Sequence, residues 1–374
     1  MTAEMRRAWA RTLTSEPDFL KEQASLGKCW TLLAVGEDLL NDGDWIRATL
    51  GGKSVFVQRF GDQLKGFENR CAHRFFPLRT ADKGNGPIVC GFHHWRYDRD
   101  GLALGIPHST EVYGKTPREI GARLPSIDIA TCGSLVFGRF PSDDGESLEA
   151  FLGDGFPILA TIADMPAKSY KISDDIAANW MLLMQITLDD YHLVAVHHRK
   201  KFSMNREMAY YRFGAYDRHS TQFVHTQDTP AIMAAQCLAG NCKPDDYRIF
   251  NIFPNVAVSL FRAKPYWYCF IQQFIPVSAG RSQQRGWFYR TKIEVEETAF
   301  EKFIEPVSEI IRPRIVRYFT ERTGDEDHRA CEQLQSVAAQ ADAWPILSSQ
   351  EKRIEWFWQA YQRSLTTAPA PEVV

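Results

Sequence analysis

The sequence predicts an α+β chain of two domains: an all-β unit near the amino terminus, then a larger unit in which helices pack on an antiparallel sheet. Three observations carry that reading. Short apolar runs broken by glycine and aspartate fill residues 30–140. A polar stretch, Pro141-Ser142-Asp143-Asp144-Gly145-Glu146, follows them. Beyond it a helix-like segment from Ile176 to Val196 precedes several strand-like runs and two late helices. Strands followed by helices, with no regular strand–helix alternation, fit α+β architecture.

Taken in chain order, residues 1–28 read as a helical segment packing with the larger domain. Phe19, Leu20, Ala24 and Leu26 have mixed helical spacing, and Ser15 can cap. The β domain spans 29–141. Trp45–Leu50, Gly51-Gly52 and Ser54–Phe60 read as a hairpin with a Gly-Gly turn. Leu135–Phe140 reads as the domain's last strand. The second domain spans 142–365, with strands at 208–216, 247–261, 267–276 and 287–295 and helices at 298–320 and 351–364. Residues 366–374, T-T-A-P-A-P-E-V-V, read as a disordered tail.

Composition narrows the function classes. The chain has 374 residues, 44% hydrophobic and 24% charged, with a formal net charge of -2. That balance argues against a dedicated nucleic-acid binder. No apolar run approaches the roughly 20 residues that span a bilayer, and the first residues lack an apolar signal core. Of the eight cysteines, only Cys71 and Cys90 have metal-like company. The others read as reduced residues of a cytoplasmic protein.

Those two cysteines belong to Cys71-Ala72-His73 and Cys90-Gly91-Phe92-His93. Two thiolates and two imidazoles at short spacings make a four-ligand metal site. Zinc uses the same donors, usually with two to four residues between the ligands of a pair. The one-residue gap of Cys-x-His fits a Rieske [2Fe–2S] centre better, with two cysteines on one iron and two histidines on the other. A second constellation is Asp189-x-x-His192-x-x-x-x-His197. Asp189 and His192 share a helix face. His192 and His197 diverge by about 140° on a regular helix, so the backbone must loosen between them if both bind one metal.

The flanking residues extend the match. C-A-H-R-F-F-P-L resembles the first Rieske loop, C-P-H-R-G-x-P-L, and C-G-F-H-H-W-R-Y-D-R-D-G resembles the second, C-P-Y-H-G-W-x-Y-D-x-x-G. The departures are Phe75, Phe76, Gly91 and His94; His93 keeps the ligand register, which leaves His94 to the surroundings or the surface. Asn179, Trp180, Asp189, Tyr191, His192 and His197 match the helix motif N-W-…-E-N-x-x-D-x-Y-H-x-x-x-x-H of the α subunit of Rieske non-haem iron oxygenases. The late segment around Asp327, Cys331, Glu332 and Gln335 is similar to that family's E-D-x-x-x-C-E-x-x-Q, and Ile252-Phe253-Pro254-Asn255 to its F-P-N strand.

The resemblance implies an all-β Rieske domain and a helix-grip-like catalytic domain. It implies Cys71, His73, Cys90 and His93 as cluster ligands. It implies His192, His197 and Asp327 as ligands of a mononuclear Fe(II), with Asp325 as the alternative carboxylate. O₂ is then a co-substrate, and the product is a hydroxylated, dihydroxylated or demethylated small molecule. Asp189 is implied to link the iron to the cluster of a neighbouring chain in a homotrimer, or in an α₃β₃ assembly. The family's Glu-Asn pair is replaced by Gln185 and Ile186. With Phe202, Phe253 and Asn255 these are candidate pocket residues, and they suggest an apolar, aromatic substrate. Phe213, Phe250, Val258 and Leu260 fit pocket or core equally.

No G-x-G-x-x-G is present, and Gly114-Lys115-Thr116 has Ser109 where a phosphate loop needs glycine. The chain is therefore expected to hold no flavin or NAD(P)H site. Its electrons are expected from a ferredoxin or a flavin reductase that draws on NAD(P)H. Arg70, Arg74, Arg79, Lys83, Arg96, Arg99, Lys115 and Arg118 surround the cluster loops and could steer an acidic donor. Two rival readings are a pure Rieske electron carrier and a non-catalytic binding homologue. The first expects a disulfide between the cluster loops, at the positions held by Phe76 and Phe92; the second expects no third iron.

Overall fold

A computed structural model describes residues 11–163, 167–197, 211–224, 226, 228–242, 247–263, 266–292, 299–340 and 345–366. Phe202 and the carboxyl-terminal tail lie outside these residues. Among them no helix is long and apolar enough to cross a membrane. The chain forms two compact units: Glu22–Phe151, and a larger one made of the segment up to Lys21 with Leu152–Thr366. These limits differ from the breaks at 28/29 and 141/142 read from the sequence. Helix α1 (Glu16–Leu26) straddles the first cut. At the second, the Trp30 indole donates to Glu146 O at 3.0 Å and Arg139 pairs with Asp144 at 2.8 Å. The polar stretch is thereby tied to the β unit, and the break moves past it.

In the first unit, β1 (Thr31–Val35), β2 (Asp44–Leu50), β3 (Lys53–Phe60), β4 (Gln63–Glu68) and β5 (Lys83–Asn85) precede a small sheet of β6 (Ile88–Val89), β7 (Arg96–Tyr97) and β8 (Ala103–Gly105). Two short helices, α2 (Ser109–Tyr113) and α3 (Pro117–Ile120), lead to β9 (Ser126–Cys132) and β10 (Leu135–Arg139). The large sheet runs β1-β10-β9-β4-β3-β2-β5. Gly51 and Gly52 both have positive φ, +52° and +73°, which is what a two-residue type I′ hairpin turn requires between β2 and β3. Val55, Phe56 and Val57 are completely buried, so β3 has cover on both faces. Thr116 caps α3 in a capping box with Glu119, so Gly114-Lys115-Thr116 is the turn between two helices.

Helix α4 (Leu148–Leu152) ends the first unit, and the second continues through α5 (Gly155–Ala163), β11 (Ala167–Ile176), α6 (Trp180–Leu188), α7 (Leu193–Val196), β12 (Tyr211–Tyr216), β13 (His219–Val224) and α8 (Pro230–Leu238). Then come β14 (Arg248–Ile252), β15 (Val256–Ala263), β16 (Tyr266–Ser278), β17 (Arg281–Lys292), α9 (Ala299–Val337) and α10 (Lys352–Thr366). Its sheet is antiparallel in the order β11-β17-β16-β15-β14-β13-β12. Helix α6 is apolar on nearly every side, and Trp180, Met181, Leu183, Met184 and Leu188 are fully buried. A helix apolar all round belongs in a core.

Three elements differ from the sequence reading. The helix expected over 176–196 is a strand end, then α6, then a break before α7. The run 247–261 is two strands folded at a turn through Phe253-Pro254-Asn255. The late helix does not stop at Thr320 but continues to Val337. Glycine at position 324 costs about 1 kcal/mol in a helix, and ion pairs bridge it: Arg317–Glu321 at 2.7 Å on one side and Arg322–Glu326 at 3.4 Å across it. Asp327 therefore sits within a continuous helix.

Candidate metal centres

Two loops of the first unit share one backbone design. Cys71 N–H bonds Phe76 O at 2.8 Å and Phe75 N–H bonds Cys71 O at 3.0 Å. Cys90 N–H bonds Trp95 O at 2.9 Å and His94 N–H bonds Cys90 O at 3.0 Å. Each turn closes on a left-handed residue, Phe75 at φ 60° and His94 at φ 57°. Side chains there cost about 1–2 kcal/mol relative to glycine, which is the residue the motif usually has at both positions. His94 is exposed.

The loops bury Cys71 and Cys90 and bring the His73 and His93 rings to 4.7 Å between centroids. Burial pushes the Cys71 thiol up, and Cys90 adds to the rise, while the Tyr97 hydroxyl at 2.9 Å opposes it. A buried thiol without a cation resists ionising; a bound metal reverses that. Nδ1 of His73 is buried without a hydrogen-bond partner among the described residues. Its other nitrogen lies 3.3 Å from the Tyr113 hydroxyl, and its face stacks on Trp95 at 4.8 Å and 5°. The donor set fits the cluster.

The base of the first loop is held by polar side chains. Asn69 accepts from Leu78 N–H and Arg79 N–H at 3.1 and 2.7 Å. Arg79, counted above with the surface cations, is buried instead. It donates to Gln58 at 2.6 Å and to Pro87 O at 3.1 Å, and lies over the Trp45 ring at 4.6 Å. Burial brings its pKa down to about 10. It is a structural brace and does not belong to a docking surface.

Phe76 and Phe92, where a Rieske electron carrier has its loop-bridging disulfide, touch ring to ring at 5.5 Å. Such a pair contributes about 0.5–1.5 kcal/mol beyond its area burial. Phe76→Ala is therefore expected to lose its cluster absorbance several-fold faster under an iron chelator. Equal rates in variant and parent would show that the rings do not hold the loops.

In the second unit, Asn179 caps α6: its Oδ1 accepts from Met181 N–H at 2.8 Å, and its amide donates to Ala279 O at 2.8 Å. Gln335 and Glu332 of α9 reach the same corner, accepting from Asn179 N–H at 2.9 Å and Ala177 N–H at 3.1 Å. The late motif thus docks α9 against the start of α6. That docking sets Asp327 opposite the far end, where His192 and His197 flank α7.

One donor atom from each of His192, His197 and Asp327 lies within 4.8 Å of the others. Asp327 Oδ1 is 3.5 Å from His192 Nε2 and 3.2 Å from His197 Nε2. All three atoms are buried with no hydrogen-bond partner among the described residues. Three unsatisfied donors and acceptors at one point are costly unless something binds there. The second nitrogens face carboxylates: His192 Nδ1 is 3.5 Å from Asp189, and His197 Nδ1 is 2.9 Å from Glu326. Burial favours neutral His192, but Asp189 and Asp327 outweigh it and bring the pKa up to about 10. Burial pushes Asp327 up, and the two imidazoles more than reverse it. The site is arranged for a cation, and its donors fit iron(II).

Asp325 is not in this group. Glu326 was missed in the sequence; its signal was its place beside Asp327 in the acidic pair of the late motif. Asp189 also accepts from Tyr191 N–H at 2.5 Å, which fixes the turn. Gln185 Nε2 is buried with no partner among the described residues, and Ile186 is half-buried beside it. Phe253 is buried against Phe357 at 5.8 Å. Asn255 exchanges bonds with Phe274 at 2.9 and 3.1 Å, which anchors the β14–β15 turn to β16.

Comparisons with known proteins agree with both centres. Residues 29–122 match the Rieske [2Fe-2S] domain, and residues 159–367 match the ring hydroxylating alpha subunit (catalytic domain). The anthranilate 1,2-dioxygenase large subunit of Burkholderia cepacia is 30% identical over 188 residues, 47% of this chain and 44% of that one. Terephthalate 1,2-dioxygenase terminal oxygenase component subunit alpha 2 of Comamonas sp is 28% identical over 197 residues, 50% and 47% of the two chains. The matches thus span less than half the length of these curated relatives. Among solved structures, a quaternary ammonium Rieske monooxygenase superposes with TM-score 0.72 at 17% identity, covering 94% of each chain. Naphthalene 1,2-dioxygenase from Rhodococcus sp. superposes with TM-score 0.71 at 17% identity, covering 96% and 94%. At that identity the likeness is one of fold. With more than half of its length in the catalytic match, the chain belongs to the ring-hydroxylating alpha-subunit family and carries a Rieske domain ahead of its non-haem iron catalytic domain.

Proposed function

We propose that this chain is the terminal oxygenase of a multicomponent system and hydroxylates an aromatic or similarly apolar small molecule. The observation that carries the reading is the convergence of His192, His197 and Asp327 in the catalytic domain of a chain that also has Rieske ligands. Aromatic rings are favoured because relatives named for anthranilate, terephthalate and salicylate oxidation match this chain. When bound, the cluster supplies single electrons and the iron supplies O₂ activation.

The chain's own residues do the rest. Glu326 holds the His197 imidazole through Nδ1 and Asp189 faces Nδ1 of His192, leaving Nε2 of each to face Asp327. Two histidines and one carboxylate leave open positions for O₂. Gln185 and Ile186, the turn of α6 before Asp189, add no charge there, which suits an apolar guest. Exposed His93 and half-buried Asp189 suit an electron path between neighbouring chains of a trimer. Exposed Arg74 and Arg96 suit an acidic ferredoxin or reductase.

The test is turnover under ¹⁸O₂ with the reduced protein and a panel of benzoate-type aromatics and quaternary ammonium compounds. Label is expected in a hydroxylated aromatic product. Oxidation of the ammonium compounds alone would contradict the aromatic assignment.

A further inference from the structure

We infer that Arg353 of α10 is a positioning residue that holds the break between α6 and α7 in the shape that brings His192 and His197 to one point. The inference rests on the reading of His192, His197 and Asp327 as an iron site. On a continuous helix the two imidazoles would point about 140° apart. The chain instead leaves the helix after Leu188, with Asp189 extended at φ -132° and ψ 113°, and re-enters it at Leu193. A helix that ends in the interior leaves backbone carbonyls in need of donors.

Arg353 supplies them. It is fully buried. Its Nη2 donates to Thr187 O at 3.1 Å, in the last turn of α6, and to Gln222 Oε1 at 2.9 Å. Its Nη1 donates to Asn251 Oδ1 at 2.6 Å. Asn251 in turn donates to Thr187 Oγ1 at 2.8 Å, and Gln222 donates to the buried carboxylate of Asp190. One guanidinium therefore grips both sides of the break: Thr187 before it and, through Gln222, Asp190 after it. Gln222 lies on β13 and Asn251 on β14, so the sheet is the frame against which the turn is held. Asp190 is two residues from His192 and adjacent to Asp189. A planar fork meets three acceptors at once, which a lysine ammonium on a flexible stem cannot do.

A role limited to balancing the charge of Asp190 would be served equally by lysine. Arg353→Lys separates the two. Fe(II) is titrated into protein that retains its cluster, with the nitrosyl EPR signal of the mononuclear iron as readout and near-UV circular dichroism as the check on folding. Outer groups that orient metal ligands typically change affinity by 10–100-fold. Arg353→Lys is expected to bind Fe(II) about 10–100-fold more weakly, with a broadened nitrosyl signal and unchanged cluster absorbance. Affinity within about twofold of the parent, with the same nitrosyl spectrum, overturns the inference. If Arg353→Lys does not fold, Gln222→Met cuts the arm to Asp190 while keeping Arg353, and the same two outcomes decide. Parent protein that binds no Fe(II) here refutes the iron-site reading itself, an outcome distinct from a variant that binds as well as its parent.

Discussion

Asp327→Ala is expected to lose its mononuclear iron, keep its [2Fe–2S] cluster and form no product. Asp327 Oδ1 is the atom both imidazoles converge on, and it is the one carboxylate of the three-residue group. Its removal leaves His197 held by Glu326 and His192 facing Asp189, but no anionic ligand. Even groups that only orient ligands change metal affinity by 10–100-fold, so loss of a ligand is expected to reduce occupancy by at least about two orders of magnitude. The cluster ligands belong to the other compact unit, so their visible absorbance should persist. Metal analysis and product assay on the same sample check this. Full iron retention in Asp327→Ala, with loss in Asp325→Ala, would move the ligand to Asp325.

Asp189→Asn is expected to keep both metal centres and still lose turnover. The amide oxygen can take over the bond from Tyr191 N–H, so the turn survives. What goes is the charge facing His192 Nδ1 at 3.5 Å. In the proposed trimer that carboxylate joins the iron histidine to a cluster histidine of the neighbouring chain. The cluster should accept electrons from its donor as before. Its reoxidation with substrate and O₂ present should slow by about 10–100-fold, the range seen when a group that faces a metal's ligands is lost. Stopped-flow absorbance reads that step directly. Near-normal reoxidation would remove Asp189 from the electron path.

The parts legible in the sequence are those encoded locally. Cys71, His73, Cys90 and His93 lie on two short turns, so ligand spacing alone pointed to them. The five-residue gap between His192 and His197 required a broken helix, and the break is there. Asp327 was legible only through the late motif, because no local rule links it to residues more than a hundred positions earlier. Arg353 left no trace for the same reason: its partners Thr187, Gln222 and Asn251 come from three other elements. Arg79 was misread because a cation beside a metal loop is usually exposed, and nothing local announces Gln58 and Trp45 as its partners. The late helix runs past the end at 320 read from the sequence and through Gly324. Ion pairs one turn apart carry the helix across it.

The most direct test of the two-centre account is iron and acid-labile sulfide per chain in protein reconstituted anaerobically. The account predicts about three irons and two sulfides, from a [2Fe–2S] cluster and one further iron. Treatment with a mild chelator should remove one iron without bleaching the cluster. Two irons and two sulfides, with no third iron taken up at any Fe(II) concentration tested, would contradict it and leave an electron carrier or a binding protein in its place.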